Sequence, residues 1–189
     1  MDDILIVSST KNGQQFFENL LKVFSYRNIT TVSSGSEARR IALDHQYDLV
    51  IINTPLGDEF GHELALMLAE TSSSGIMMLV KTELADEISA NVEDDGVFVM
   101  AKPISKQLFF QSLKLLEAFV KRMQRLKKEN IKLHKKIEEI RLVDRAKCVL
   151  IQYLGFNESQ AHRYIEKQAM DMRITKGEVA EDILKTYDK

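Results

Sequence analysis

The chain has 189 residues, 44% hydrophobic and 29% charged, which suits one domain or two small ones and excludes wholesale disorder. No run reaches the roughly 18 apolar residues of a membrane helix. The acidic flank of the opening Met-Asp-Asp-Ile-Leu-Ile-Val argues against a signal peptide, so a cytoplasmic protein with no membrane partner is expected.

Cys148 is the single cysteine, so no internal disulfide forms, and the four scattered histidines give no metal-ligand spacing. No metal and no cofactor are expected. The net charge of −2 hides an asymmetry. Up to residue 104 there are seven basic and sixteen acidic residues; beyond it there are nineteen and twelve. An acidic half followed by a basic half suggests two domains with different partners.

The first strand is expected at Ile4–Val7, ending in Ser8 and Ser9. Phe16, Phe17, Leu20, Leu21 and Phe24 then return at helical spacing. Strands follow at Ile29–Val32, Leu49–Ile52, Ile76–Val80 and Val97–Met100, the last closed by Lys102-Pro103. Between them lie helices at Ser36–His45, with Ser34 or Ser36 as N-cap, around Leu64, Met67 and Leu68, and at Leu84–Val92. Short strands without alternation, separated by amphipathic helices, predict an α/β doubly wound five-stranded parallel sheet covered on both faces.

From Ile104 the pattern changes. No Gly or Pro occurs between Pro103 and Gly155. Leu116, Phe119, Met123, Leu126, Asn130, Leu133, Ile137 and Ile140 alternate at spacings of three and four, a heptad seam. Asn130, its one polar member, is the residue type that fixes register in a two-stranded parallel coil. A homodimer through a coiled coil is therefore expected, against the alternative of one amphipathic helix lying on its own domain. The helix continues to Leu154 and ends at Gly155. Asn157-Glu158 starts another, and Thr175 with Glu178 has capping-box spacing for a last one. This gives a small three-helix all-α module. The expected divisions are 1–115, 116–140 and 141–189.

The first 115 residues resemble a response-regulator receiver domain, on strand order, loop placement, Gly61 and Lys102-Pro103. The resemblance implies two acids after the first strand, an acceptor Asp after the third, a hydroxyl after the fourth and a Lys after the fifth. Mg²⁺ needs the anionic oxygens, and the Lys and hydroxyl hold phosphoryl oxygens. Here those positions read Ser8 and Ser9, Asn53, Val80 (followed by Lys81) and Lys102. An amide nitrogen is no nucleophile and two serines do not replace two carboxylates. The expectation is a pseudo-receiver that is not phosphorylated, with a regulatory protein or small ligand as its input. Lys102 is expected to bond Asn53 or a backbone carbonyl.

Arg141-Leu-Val-Asp-Arg-Ala-Lys147-Cys-Val-Leu150, then Glu158-Ser-Gln-Ala161 through Ala169-Met170, and Glu178-Val-Ala180, are similar to the ANTAR family. That resemblance implies RNA binding and transcription antitermination on tandem stem-loops in nascent transcripts. Its RNA surface would use Arg141, Arg145, Ala146, Lys147, Arg163, Lys167 and Arg173. Cys148 stands where the family has Gly, and Glu166 where it commonly has Arg. Two other readings stay open: a DNA-binding transcription factor built on a helix-turn-helix variant around Gly155-Phe-Asn, and an adaptor that binds protein only. No nucleophile–base pair, phosphate loop or metal set marks an enzyme.

Overall fold

The computed structural model describes residues 3–187. It divides between Arg125 and Leu126 into two units. In the first, β1 (Asp3–Ser8), β2 (Asn28–Val32), β3 (Leu49–Asn53), β4 (Gly75–Lys81) and β5 (Val97–Lys102) form one parallel sheet in the order β2-β1-β3-β4-β5. The helices between them are α1 (Lys11–Val23), α2 (Gly35–Asp44), α3 (His62–Thr71) and α4 (Ala85–Val92), the last preceded by a 3-10 turn at Thr82–Leu84. The doubly wound α/β sheet read from the sequence is the fold observed.

The three inner strands, β1, β3 and β4, are buried on both faces because alternate residues feed two separate clusters. Val50, Ile52, Ile76, Met78 and Val80 join Leu64, Ala65 and Leu68 of α3 on one side. Ile4, Ile6, Leu49, Ile51, Met77, Leu79 and Met100 join Phe17, Leu20 and Leu21 of α1 on the other. Local signals set the helix ends. Thr10 caps α1 by accepting from the Gly13 amide, and Ser34 caps α2 by accepting from the Glu37 amide.

The helix after β5, α5, runs unbroken from Lys106 to Leu154. Its first turns belong to the receiver-like core: Phe109, Leu113, Leu116 and Val120 are buried in the second cluster. Leu116 was expected on the coiled-coil seam and is instead a core residue, so the division expected after residue 115 cuts through this core. The reason is that Leu116 fits two stripes on one helix, and the sheet claims it. Gly75 makes the approach possible. A Cβ there would lie 2.7 Å from Val120 Cγ2 and 3.0 Å from Leu116 Cγ.

A polar clamp holds the same segment. Glu117 accepts from Lys114 and Lys121, both at 3.0 Å, and from the Tyr26 hydroxyl at 3.3 Å. Burial pushes the Glu117 carboxyl up, but the two lysine hydrogen bonds outweigh it and hold the group at about 2.

In the second unit, α6 (Glu158–Met172) and α7 (Lys176–Tyr187) pack with the end of α5. Ala146 and Leu150 meet Ala161, Ile165 and Ala169 of α6, and Val179, Ala180, Ile183 and Leu184 of α7. Alanine at the crossings lets the helix backbones approach. The first helix of this module is thus the last part of α5. Asn157 and Gln160 form a capping box on α6, and Thr175 and Glu178 exchange hydrogen bonds of 2.8 and 3.2 Å at the start of α7. Gly155 leaves α5 with a left-handed φ of +66°, its amide bonding the Ile151 carbonyl.

Gly75→Val places two methyl groups where α5 already sits. We expect a loss of about 1–3 kcal/mol in the unfolding free energy of the sheet-containing unit, the usual cost of overpacking a core. Urea denaturation of the full chain measures it, and an unchanged midpoint would show that α5 has room to retreat.

Candidate functional sites

The carboxyl edge of the sheet is where doubly wound folds bind ligands. Ser8 is fully buried at the end of β1 and pairs in register with Asn53 of β3. Asn53 Nδ2 donates to Ser8 Oγ at 2.9 Å. Gly13, in the first turn of α1, closes over this pair: a Cβ there would lie 2.9 Å from Asn53 Nδ2 and from Thr10 Oγ1, and would also strike Ser8 Oγ. The end of β3 therefore carries an amide, bonded to a hydroxyl and roofed by α1.

Lys102 donates to the Thr54 carbonyl at 2.6 Å, the carbonyl bond rather than the Asn53 bond of the two expected. Thr54 Oγ1 donates to the Leu79 carbonyl at 2.9 Å, and Thr82 Oγ1 donates to the Lys102 carbonyl. Burial lowers the Lys102 pKa, and the neighbouring charge of Lys81 lowers it further. Ser9 lies outside the pair, its hydroxyl donating to the Pro55 carbonyl at 3.3 Å.

Val80 does not stand at the corner. It is fully buried in the cluster on the opposite face of the sheet. Strand alternation gives the reason: Leu79 shares the face of Ile51 and Met100, so Lys81, two residues on, shares the face of Asn53 and Lys102. Counting by twos from Leu79 would have found Lys81 in the sequence.

The loop after β3 was not read from the sequence as a latch, yet it is one. Asp58 accepts from the Gly35 and Ser36 amides and the Ser36 hydroxyl, each at 2.9 Å. These bonds, the Ser36 amide first, lower its pKa to about 2. Glu59 takes a bidentate pair from Arg39 at 2.7 and 2.8 Å. The acids of the loop are thereby committed to α2.

In the helical unit the expected RNA residues separate into groups. Ala146 is fully buried between helices and contacts no solvent, because its small side chain serves the α5–α6 crossing. Lys147 is only 16% exposed and pairs with Asp144 at 2.8 Å and Glu158 at 3.7 Å. The Asp144 bond, chiefly, raises its pKa. Lys147 thus ties α5 to the first turn of α6. Arg145 is exposed and engaged with a neighbour. Arg141, Arg163, Lys167 and Arg173 are exposed and make no ion pair among the described residues. Arg163 and Lys167 lie one turn apart on α6, away from the buried Ala161, Ile165 and Ala169. Tyr164 is 37% exposed and meets Phe156 edge-on at 5.8 Å. Glu166 accepts from Lys176, which lowers its pKa, and lies 3.3 Å from His162.

The seam residues Phe119, Met123, Leu126, Leu133, Ile137 and Ile140 are all 45–61% exposed, and Asn130 is exposed among them. Among the described residues no helix is long and apolar enough to cross a membrane.

Residues 132–184 match the family model of the ANTAR domain. The transcriptional regulatory protein PdtaR of Mycobacterium tuberculosis is 27% identical over 167 residues, covering 88% of this chain and 82% of that protein. The aliphatic amidase regulator of Pseudomonas aeruginosa is 26% identical over 120 residues, 64% of this chain and 61% of that protein. Among solved structures, the signal receiver domain of an HD domain-containing protein from Pseudomonas fluorescens superposes with a TM-score of 0.59 at 19% identity, covering 66% of this chain and 92% of that one. The chemotaxis response regulator CheY4 of Vibrio cholerae gives 0.54 at 22% identity, covering 61% and 98%. A receiver-like fold is joined here to an ANTAR domain. The chain is related at low identity to these two regulators.

The Asp58 latch has a pH signature. An aspartate titrates at about 3.9 in an unfolded chain and is held at about 2 here, so its contribution is complete above about pH 5 and is lost as pH falls toward 2. Asp58→Asn should flatten the acid limb of a stability-versus-pH curve over that window. An unchanged limb would mean the latch adds nothing.

Proposed function

We propose that the chain is an RNA-binding transcription antitermination regulator that acts as a dimer on stem-loop RNA, with a receiver-like unit that is not phosphorylated. The observation that carries the reading is the ANTAR match over residues 132–184, on a unit whose Arg141, Arg163, Lys167 and Arg173 are exposed and unpaired among the described residues. Lys and Arg neutralise backbone phosphates, and Arg also reads base edges in unpaired loops. Tyr164 and the more exposed Tyr153 add aromatic surface on which unpaired bases stack.

The exposed seam on α5 supports pairing with a second copy. Six large apolar side chains in heptad spacing, flanked by charge and interrupted by one Asn, suit a parallel coil better than bulk solvent. Two copies would present two RNA surfaces, which matches paired stem-loops. Leu133→Asp with Ile137→Asp should convert a dimer to a monomer in sedimentation, leaving both units folded. A wild-type chain monomeric at tens of micromolar would contradict the coil.

The corner supports a rewired input. Asn53 offers no carboxylate, Ser8 and Ser9 offer Mg²⁺ no anionic oxygen, and Gly13 occupies the space above. Restoring the acceptor alone does not restore the metal site. Asn53→Asp incubated with acetyl phosphate and Mg²⁺ should gain no phosphoryl group by intact-mass measurement; stoichiometric modification would overturn this reading of the corner.

For the output, tandem stem-loop RNA and duplex DNA of equal charge are compared across a salt series. Arg163→Ala with Lys167→Ala should weaken RNA binding about tenfold or more and reduce the salt slope by roughly two. Equal affinity for both nucleic acids, or no effect of the pair, would leave only non-specific charge.

A further inference from the structure

We propose that a bound RNA is held at a second place, its paired stem lying along the uncovered part of α5 with backbone phosphates against Lys128, Lys132 and Lys135. This contact rests on the RNA-binding reading above and extends it to a surface outside the three-helix bundle.

One face of α5 changes character along its length. Leu142, Ala146 and Leu150 repeat four residues apart on that face and pack against α6 and α7. Helix α6 doubles back along it, and by Ala169 and Met170 it has reached Glu139, with which they line one groove. The start of α7 arrives at the same level, where a Cβ on Gly177 would lie 3.2 Å from Glu139 Cγ. The cover ends there. In steps of four, three and four from Glu139 toward the start of the helix, the same face carries Lys135, Lys132 and Lys128. All three are exposed, and none makes an ion pair among the described residues.

A solvated helix face ordinarily sets an acid three or four residues from a lysine. Here Lys132 has Lys128 and Lys136 four residues away on either side and Lys135 three away. Like charges stacked turn on turn cost the helix stability, which an anion laid along them would recover. Glu139, four residues from Lys135, makes no ion pair with it. The stripe lies across the helix from the seam residues Leu126, Leu133 and Ile137, so pairing with a second copy leaves it facing outward.

The side-chain chemistry selects the partner. The three ammonium groups follow one another at about 5 Å along the helix axis, a spacing that suits successive phosphates of one strand. Residues 121–136 contain no Phe, Tyr or Trp, so this surface offers unpaired bases nothing to stack on. Lysines act as point charges that position a backbone without reading its sequence, which suits a paired stem. On α6, Arg163, Lys167 and Met170 share an exposed face that ends at the groove beside Glu139. A loop on α6 and a stem on α5 thus meet one continuous surface.

The test uses the full chain and two hairpin RNAs with the same loop, one with its stem cut to half. The longer hairpin should bind more tightly and with steeper salt dependence. Lys128→Gln with Lys132→Gln and Lys135→Gln should weaken the longer hairpin about tenfold, lower its salt slope by about two to three, and leave the shorter one unchanged. The corresponding triple change to Arg should retain binding, and sedimentation and thermal melting should show the Gln variant assembled and folded as the wild type is. Arg163→Ala with Lys167→Ala should weaken both hairpins alike. A Gln variant that weakens neither hairpin, or both equally, would overturn the stem contact while the Arg163 and Lys167 result still supports RNA binding. A wild-type chain that binds neither hairpin would overturn the RNA reading and the stem contact together.

Discussion

The two-residue alternation of strands buried on both faces governs the receiver-like unit. Each strand must present one set of side chains to the α1–α5 side and the other to the α3 side, so register has no freedom to slip. The consequence is felt at the carboxyl edge, where Ser8, Asn53, Lys81 and Lys102 are brought to one side. Val80 is sent to the other. Chemistry at this edge is a matter of parity. One position along β4 separates a core methyl group from an exposed ammonium.

Parity also decides how the polar groups at this edge are satisfied. At the β1–β3 end the polar atoms bond one another, Asn53 to Ser8. Gly13 then comes down onto a neutral pair. No such closure occurs at the β4–β5 end, where both residues are cations. The edge is self-satisfied on the β1–β3 side and electrostatically open on the β4–β5 side.

Helix α5 follows a different period and was the harder element to read. Phe109, Leu113, Leu116 and Val120 face the sheet; Leu115, Phe119 and Met123 lie on the adjoining flank and stay exposed. Two apolar stripes overlap over Leu116–Val120, and spacing alone cannot separate them, since the step from Leu116 to Phe119 is as good in a heptad as in a core. The elements themselves, their order, and the caps at Ser34, Asn157 and Thr175–Glu178 were legible because each rests on local chemistry. Leu116, Ala146 and the Asp58 latch were not legible. Each depends on a partner distant in sequence: the sheet, α6 and α2 respectively.

The same distinction sorts the cations of the ANTAR domain, and here it changes what the composition meant. Lys147 and Lys176 are tied to carboxylates within the domain, so part of the basic charge is used internally. Lys176 also answers Glu166, the acid standing where the family commonly has Arg, so that departure adds little uncompensated negative charge to the surface. What remains exposed without an ion pair among the described residues is Lys132, Lys135, Lys136, Arg141, Arg163, Lys167 and Arg173. A lysine serves well as a point charge for a neighbouring helix. A planar guanidinium with five donors is suited to phosphate oxygens and base edges. The cations left unpaired, lysine and arginine alike, rather than the total count, are the ones a phosphate backbone would meet on this domain.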